Sequence, residues 1–311
     1  MSNADRNLAA KVCLVTGASR GIGKGIAAML SKAGATVYVT GRSVNKEFQD
    51  EISAYGGQCF AVQCDHNDDE QVKNVFEKIK NEQDGKLDIL VNNAFGGAGV
   101  LSKSKGKFWE EPISNWDAIN NVGLRSNFIC AHHAANMMVS KKEGLIINIS
   151  SVGGLQYSSD VAYGVGKAGT DRMAADMAVE LKKHNIATVS LWPGGALTEF
   201  AKEVKEGKHG EYMAELWKPF EGQYIETPEF TGKAVVALGT DTNIMKKTGK
   251  ILISAELARE YGFKDIGGIQ PISFRQVKFL VHRFYPSYEW MVPQFLYFPW
   301  WMVAMGTHKF W

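Results

Sequence analysis

The stretch ISSVGGLQYSSDVAYGVGKAG places Tyr163 and Lys167 four residues apart at the start of a helical pattern, so both side chains share one face. A lysine ammonium beside a phenol stabilises phenolate and draws its pKa down from about 10. Such a phenol can give a proton to a carbonyl oxygen or take one from an alcohol. A serine hydroxyl from the pair Ser150-Ser151, at the end of the preceding apolar run, can hydrogen-bond the same substrate oxygen.

A second group lies near the N-terminus, where an apolar run leads straight into TGASRGIG and then into a helical pattern. Gly17, Gly21 and Gly23 permit a tight turn and let backbone N–H groups approach a pyrophosphate at the helix N-terminus. Ser19, Arg20 and Ile22 share that loop and are candidate cofactor contacts with it. A site selecting NAD usually has an acidic residue after the second strand. Here VTGRS offers Gly41 and Arg42, and with Arg20 the two guanidinium groups suit a 2′-phosphate. The cofactor expected is therefore NADP(H); the alternative is two solvated surface arginines. Asp65 can accept hydrogen bonds from an adenine amino group and a backbone amide. In LVNNA, Asn92 and Asn93 fall beside the cofactor, though Asn92 can equally brace adjacent strands.

Positioning these groups requires strands that end together. Short β-branched runs at 12–16, 36–40, 59–64, 87–91, 145–149, 187–191 and 251–254 alternate with helical patterns. The helices fall at 22–32, 46–55, 69–81, 109–140, 162–183 and 228–238. Near-continuous apolar strands separated by helices predict an α/β fold. It is a Rossmann-type, doubly wound parallel sheet of about seven strands with helices on both faces. Ligands of such sheets bind outside the carboxyl ends of the strands, where every motif above falls.

The 311 residues carry a net charge of +2 and no dense Lys/Arg cluster, which reads against a nucleic-acid partner. Cys13, Cys59, Cys64 and Cys130 have no CxxC spacing, so reduced buried thiols and no metal site are expected. The first apolar run is already a strand, not a signal segment, which points to a cytosol-facing protein.

Over roughly residues 10–261 the chain resembles the short-chain dehydrogenase/reductase family, with TGASRGIG, Asp65, NNA, the serine pair, YGVGK and WPGGALT in order. The resemblance implies an NADP(H)-dependent carbonyl reductase in which Tyr163 is the acid/base and Ser151 orients the substrate. It implies that Lys167 contacts the nicotinamide ribose and lowers the tyrosine pKa. The backbone at Pro193 and Gly194 and the Thr198 hydroxyl would hold the nicotinamide end. The family's usual spacing selects Ser150, whereas motif alignment favours Ser151; adjacent strand residues face opposite ways, and Ser151 is preferred. Family members usually read NNAG, but here Phe95 precedes Gly96-Gly97, so either the turn comes one residue later or Phe95 faces the substrate.

In WDAINNVGLRSNF a glycine sits mid-helix, at a cost of roughly 1 kcal/mol against alanine. The resemblance implies a catalytic asparagine at this place, with a kinked backbone holding a water; Gly123 stands there instead. Two readings follow. Either Gly123 keeps the kink and its exposed carbonyl without the side chain, or it serves a small-residue stripe of Ile119, Gly123, Ser126, Cys130 and Ala134.

The segment 196–227, with Phe200, Tyr212, Met213, Leu216, Trp217 and Phe220, reads as an apolar lid for a lipophilic ketone or aldehyde, or as a helical pair covering the core. Lys103, Lys105 and Lys107 mark a solvated loop. Residues 1–262 are expected to form the catalytic domain and 263–311 an aromatic-rich extension. That tail is short of the roughly 20 apolar residues a spanning helix needs. Its aromatics, flanked by Lys278, His282, Arg283 and Lys309, suit peripheral contact with a membrane surface, or packing on protein. The resemblance implies a cytosol-facing endoplasmic reticulum association, with a cytoplasmic location as the alternative. The partners expected are a small lipophilic carbonyl or alcohol substrate, such as a steroid, prostanoid or xenobiotic, and a second copy in a homo-oligomer. The rival to the reductase is a catalytically impaired Rossmann-fold binding or scaffold protein.

Overall fold

Seven apolar runs become strands; β1 (Val12–Val15), β4 (Ile89–Asn92) and β6 (Ile186–Trp192) are buried on both sides throughout, whereas the edge strands are only partly covered. The other four are β2 (Thr36–Gly41), β3 (Gln58–Gln63), β5 (Gly144–Ile149) and β7 (Ile251–Ile253). They form one parallel sheet in the order β3-β2-β1-β4-β5-β6-β7, the doubly wound arrangement the sequence predicts. The order reverses between β1 and β4, which opens a crevice at their carboxyl ends. The computed structural model describes residues 8–101, 107–158, 160–218 and 220–305. Lys103, Lys105, Lys309 and the side chains of Tyr212, Met213 and Leu216 lie outside the described residues.

Helices α1 (Gly21–Lys32), α2 (Lys46–Ser53) and α3 (Asp69–Glu82) follow the first three strands. Asn45 caps α2 and Asp68 caps α3 through side-chain oxygens that accept backbone N–H groups. The region expected as one helix over 109–140 is instead two. α4 (Ser114–Asn120) and α5 (Ser126–Lys141) are joined by a π-turn at Asn121–Arg125. Gly123, at φ 153°, breaks the register, which is why periodicity alone misread the stretch. The long helix α6 (Val161–Leu181) carries Tyr163 and Lys167. Then come α7 (Glu199–Lys205), α8 (Gly210–Trp217), α9 (Pro228–Thr240) and α10 (Ser254–Tyr261).

One face of the sheet packs on α1, α2 and α9, with Ile26, Leu30, Ile52 and Val235 buried there. The other packs on α3, α5 and α6, through Val75, Ile79, Cys130, Met138 and Leu181. All four cysteines are buried and free. The small-residue stripe is buried from Ile119 through Ala134, so the packing role read from it is real.

The tail docks on this body through one face. In α11 (Val277–Phe284), Phe279 packs with Tyr224 and Ile272, while Phe274 joins Trp192. α12 (Trp300–Met305) sets Trp300 against Trp192, with ring centroids 6.0 Å apart. Arg275 ties the tail to α10 with two guanidinium hydrogen bonds to Glu256, each 2.8 Å.

Candidate active site

Asp160 caps α6 by accepting the N–H groups of Ala162 at 2.7 Å and Tyr163 at 3.3 Å, which fixes Tyr163 in the first helical turn. Lys167 lies one turn on and donates from Nζ to the Ile149 carbonyl at the end of β5, 3.1 Å away. Of the two serines, Ser151 is hydrogen-bonded to the Tyr163 phenol and accepts the N–H of Gly153 at 3.1 Å. Ser150 faces the other way: its hydroxyl donates to the Lys167 carbonyl at 3.2 Å and bonds Asp171. The alternation of side chains along an extended strand end thus puts Ser151, not Ser150, beside the phenol.

The charges correct the simple tyrosine–lysine expectation. Burial pushes the Tyr163 phenol up, the Ser151 hydrogen bond pulls it back, and Asp171 raises it further. Burial also draws the Lys167 ammonium down to about 8, against the pull of Asp171. Desolvation dominates both groups, so the phenol is not lowered. Asp171 was missed in the sequence, although it extends the pattern by one more turn to YxxxKxxxD. Its buried carboxylate accepts hydrogen bonds from Ser190 at 2.5 Å and Trp192 Nε1 at 2.9 Å, and burial raises its pKa.

At the crevice, the glycine loop and the NNA loop are locked together. Asn93 donates to the carbonyls of Thr16 and Gly17 at 2.8 and 2.9 Å, and a Cβ on Gly17 would stand 2.6 Å from Ala94 Cα. Gly17 and Gly21 both take positive φ, and Gly23 is packed against the Gly17 carbonyl. Ser19 abuts Gly41 at the end of β2, and Ile22 leans on the core. Arg20 and Arg42 are exposed, and neither guanidinium has a partner among the described residues. Asp65 accepts the N–H of Asn67 at 3.0 Å. Asn92 is spent on bracing: its amide donates to Asn148 at 2.9 Å and to the Asn127 carbonyl at 3.1 Å, the second of the two roles open to it.

Beyond β6, Pro193 is half-buried, and the Gly194 N–H bonds the buried Glu226 carboxylate, which also accepts Ser254 and Thr231. Thr198 caps α7 by accepting the Ala201 N–H at 3.2 Å, and its methyl faces Gly21. No motif marks Glu199, whose carboxylate accepts the Gly21 N–H at 2.9 Å. An anionic oxygen therefore fits the N-terminus of α1, whose first turn contains no acidic residue. On that ground the loop suits the pyrophosphate of a dinucleotide.

The kink also departs from the expectation of an exposed carbonyl. The Val122 carbonyl accepts the Gly96 N–H at 2.8 Å, and the Gly123 carbonyl accepts the Asn127 amide, because the loop after β4 and the start of α5 close over the turn. Asn120 points elsewhere, into α6, where it donates to the Ala162 carbonyl at 3.3 Å.

Residues 11–209 match the short chain dehydrogenase family. The chain belongs to the short-chain dehydrogenase/reductase family. It is 46% identical over 308 residues to dehydrogenase/reductase SDR family member 1 of Mus musculus and of Homo sapiens, covering 96% of this chain and 98% of each relative. Among solved structures, a short-chain type dehydrogenase/reductase from Mycobacterium marinum is 28% identical with a TM-score of 0.69, covering 81% of this chain and 97% of that one. A short-chain dehydrogenase/reductase is an oxidoreductase that uses a nicotinamide cofactor.

Proposed function

We propose that this chain is an NADPH-dependent reductase of lipophilic ketones or aldehydes, such as steroid, prostanoid or xenobiotic carbonyls. The observation that carries the reading is the Ser151–Tyr163 hydrogen bond with Lys167 one helical turn away. Ser151 and Tyr163 together offer two hydroxyls to one carbonyl oxygen. Burial keeps the phenol protonated at neutral pH, the state a general acid needs. Lys167, charged below about 8, stabilises the phenolate left by proton transfer. NADPH, when bound, supplies the hydride. Gly17, Ser19, Gly21 and Gly23 would cradle its pyrophosphate, and Arg20 and Arg42, both open to solvent, support the choice of the 2′-phosphorylated cofactor. Phe200 and Trp217, half-buried on α7 and α8, support an apolar substrate. The test is oxidation of NADPH and NADH with a panel of ketones, quinones and steroids. No turnover with any of them sinks the reductase, and equal use of both cofactors removes the role of the arginines.

The tail carries a second part of the reading: contact with the cytosolic face of the endoplasmic reticulum. Trp290, Phe295 and Trp301 are 80%, 76% and 62% exposed. Among the described residues no helix is long and apolar enough to cross a membrane, so the contact would be interfacial. Lys278 and His282, expected to meet headgroups, are instead paired with Glu289 at 3.7 and 2.7 Å, which leaves the contact to the aromatics and the exposed Arg283.

A further inference from the structure

Phe95 occupies a seat made by two glycines. A Cβ on Gly97 would stand 2.7 Å from Phe95 Cζ, and one on Gly123 would stand 3.0 Å from Phe95 Cδ2. The same loop is fastened to the kink by the hydrogen bond from Gly96 to the Val122 carbonyl. From this seat the ring meets both members of the reacting pair. It packs edge-to-face on Tyr163, with centroids 5.8 Å apart and planes at 73°. Lys167 Nζ lies 5.0 Å from its centroid.

We propose that Phe95 is a positioning residue of the Tyr163–Lys167 pair, its ring drawing the ammonium and fixing the phenol from a seat that Gly97 and Gly123 keep open. Among the described residues Lys167 has few polar partners. Its Nζ donates to one carbonyl, that of Ile149, and the charged group that bears on it is Asp171 of its own helix. The Asp171 carboxylate is in turn shared among Ser190, Trp192 and Ser150. In so dry a position the negative face of an aromatic ring attracts an ammonium more strongly than it does at a surface. The edge-to-face contact holds the phenol in one orientation against the same ring. The inserted phenylalanine and the mid-helix glycine then have one explanation, since a side chain at position 123 would press on the ring.

The role in turnover rests on the reductase reading, but the seat can be tested without it. The Lys167 ammonium is titrated by NMR in full-length protein carrying isotope-labelled lysine, as wild type, Phe95→Leu, Phe95→Met and Phe95→Tyr. Leucine and methionine keep the apolar volume and remove the ring; tyrosine keeps the ring. Lys167 should titrate about half a pH unit lower in the Leu and Met variants and at the wild-type value in the Tyr variant. The alkaline limb of reductive kcat should move by the same amount, with KM for NADPH unchanged. An unmoved Lys167 in Phe95→Leu and Phe95→Met, or an equal fall in Phe95→Tyr, overturns the proposal. Because the titration needs neither substrate nor cofactor, a wild type that reduces no carbonyl would sink the reductase and leave this result standing.

Discussion

At the scale of single residues, catalysis is expected to depend on one proton. Tyr163→Phe removes the acid and keeps the ring, so turnover should fall about 10²–10⁴-fold while NADPH still binds. Stopped-flow reduction and a fluorescence titration of NADPH measure the two effects separately, and retained turnover would refute the acid role. In the wild type, reduction should decline as pH rises through about 8, where Lys167 loses its proton. Gly123 carries a second expectation. Its φ of +153° and the Phe95 ring 3.0 Å from its absent Cβ leave no room for the asparagine that the family resemblance implies. Gly123→Asn should therefore destabilise the fold by about 1–3 kcal/mol in urea and not raise turnover. The i, i+4 spacing made Tyr163 and Lys167 legible in the sequence, and one more step would have reached Asp171. Phe95 was visible only as a misfit, since its partners Gly123, Tyr163 and Lys167 come from two distant segments.

Elements around the crevice decide how the cofactor enters. The α7 carboxylate of Glu199 holds the N–H of Gly21, which an incoming pyrophosphate needs. Glu199→Gln should tighten NADPH binding several-fold, most visibly at low salt; weaker binding would mean that Glu199 is not a competitor. Glu226 fastens the loop after β6 to α9 and α10 through Gly194, Thr231 and Ser254. Burial raises its pKa from 4.5 to about 7, so the folded state keeps a proton that the unfolded chain releases in that window. A raised carboxylate pKa means that stability is greatest below 4.5, falls as pH rises to about 7 and is then level. Relative to Glu226→Gln, the wild type should lose a few degrees of melting temperature between pH 5 and 7.5. A constant difference between the two would show that Glu226 is not protonated in the fold. Glycine, asparagine and caps marked where elements begin, but the kink at Asn121–Arg125 was legible only through the family resemblance, because a π-turn leaves no periodic trace.

For the molecule as a whole, the tail is both a cover and an exposed surface. Cutting the chain near Gly268 would remove Ile272, Phe274 and Phe279 and uncover Trp192 and Tyr224, so it would unfold the body before it tested a membrane. Trp290→Ser, Phe295→Ser and Trp301→Ser together leave those contacts in place. The triple variant should fail to sediment with anionic vesicles that capture the wild type, at unchanged melting temperature; equal sedimentation removes the membrane reading. By itself the sequence determined the sheet, the glycine loop and the tyrosine–lysine pair, because apolar runs and short-range spacing are written in consecutive residues. Only the tertiary structure decided which serine meets the phenol, that Asn92 braces strands, and that desolvation raises Tyr163 while it lowers Lys167. It alone also placed a ring from β4's loop in the space left by Gly123. These are matters of distance and burial between segments far apart in the chain, and no local pattern encodes them.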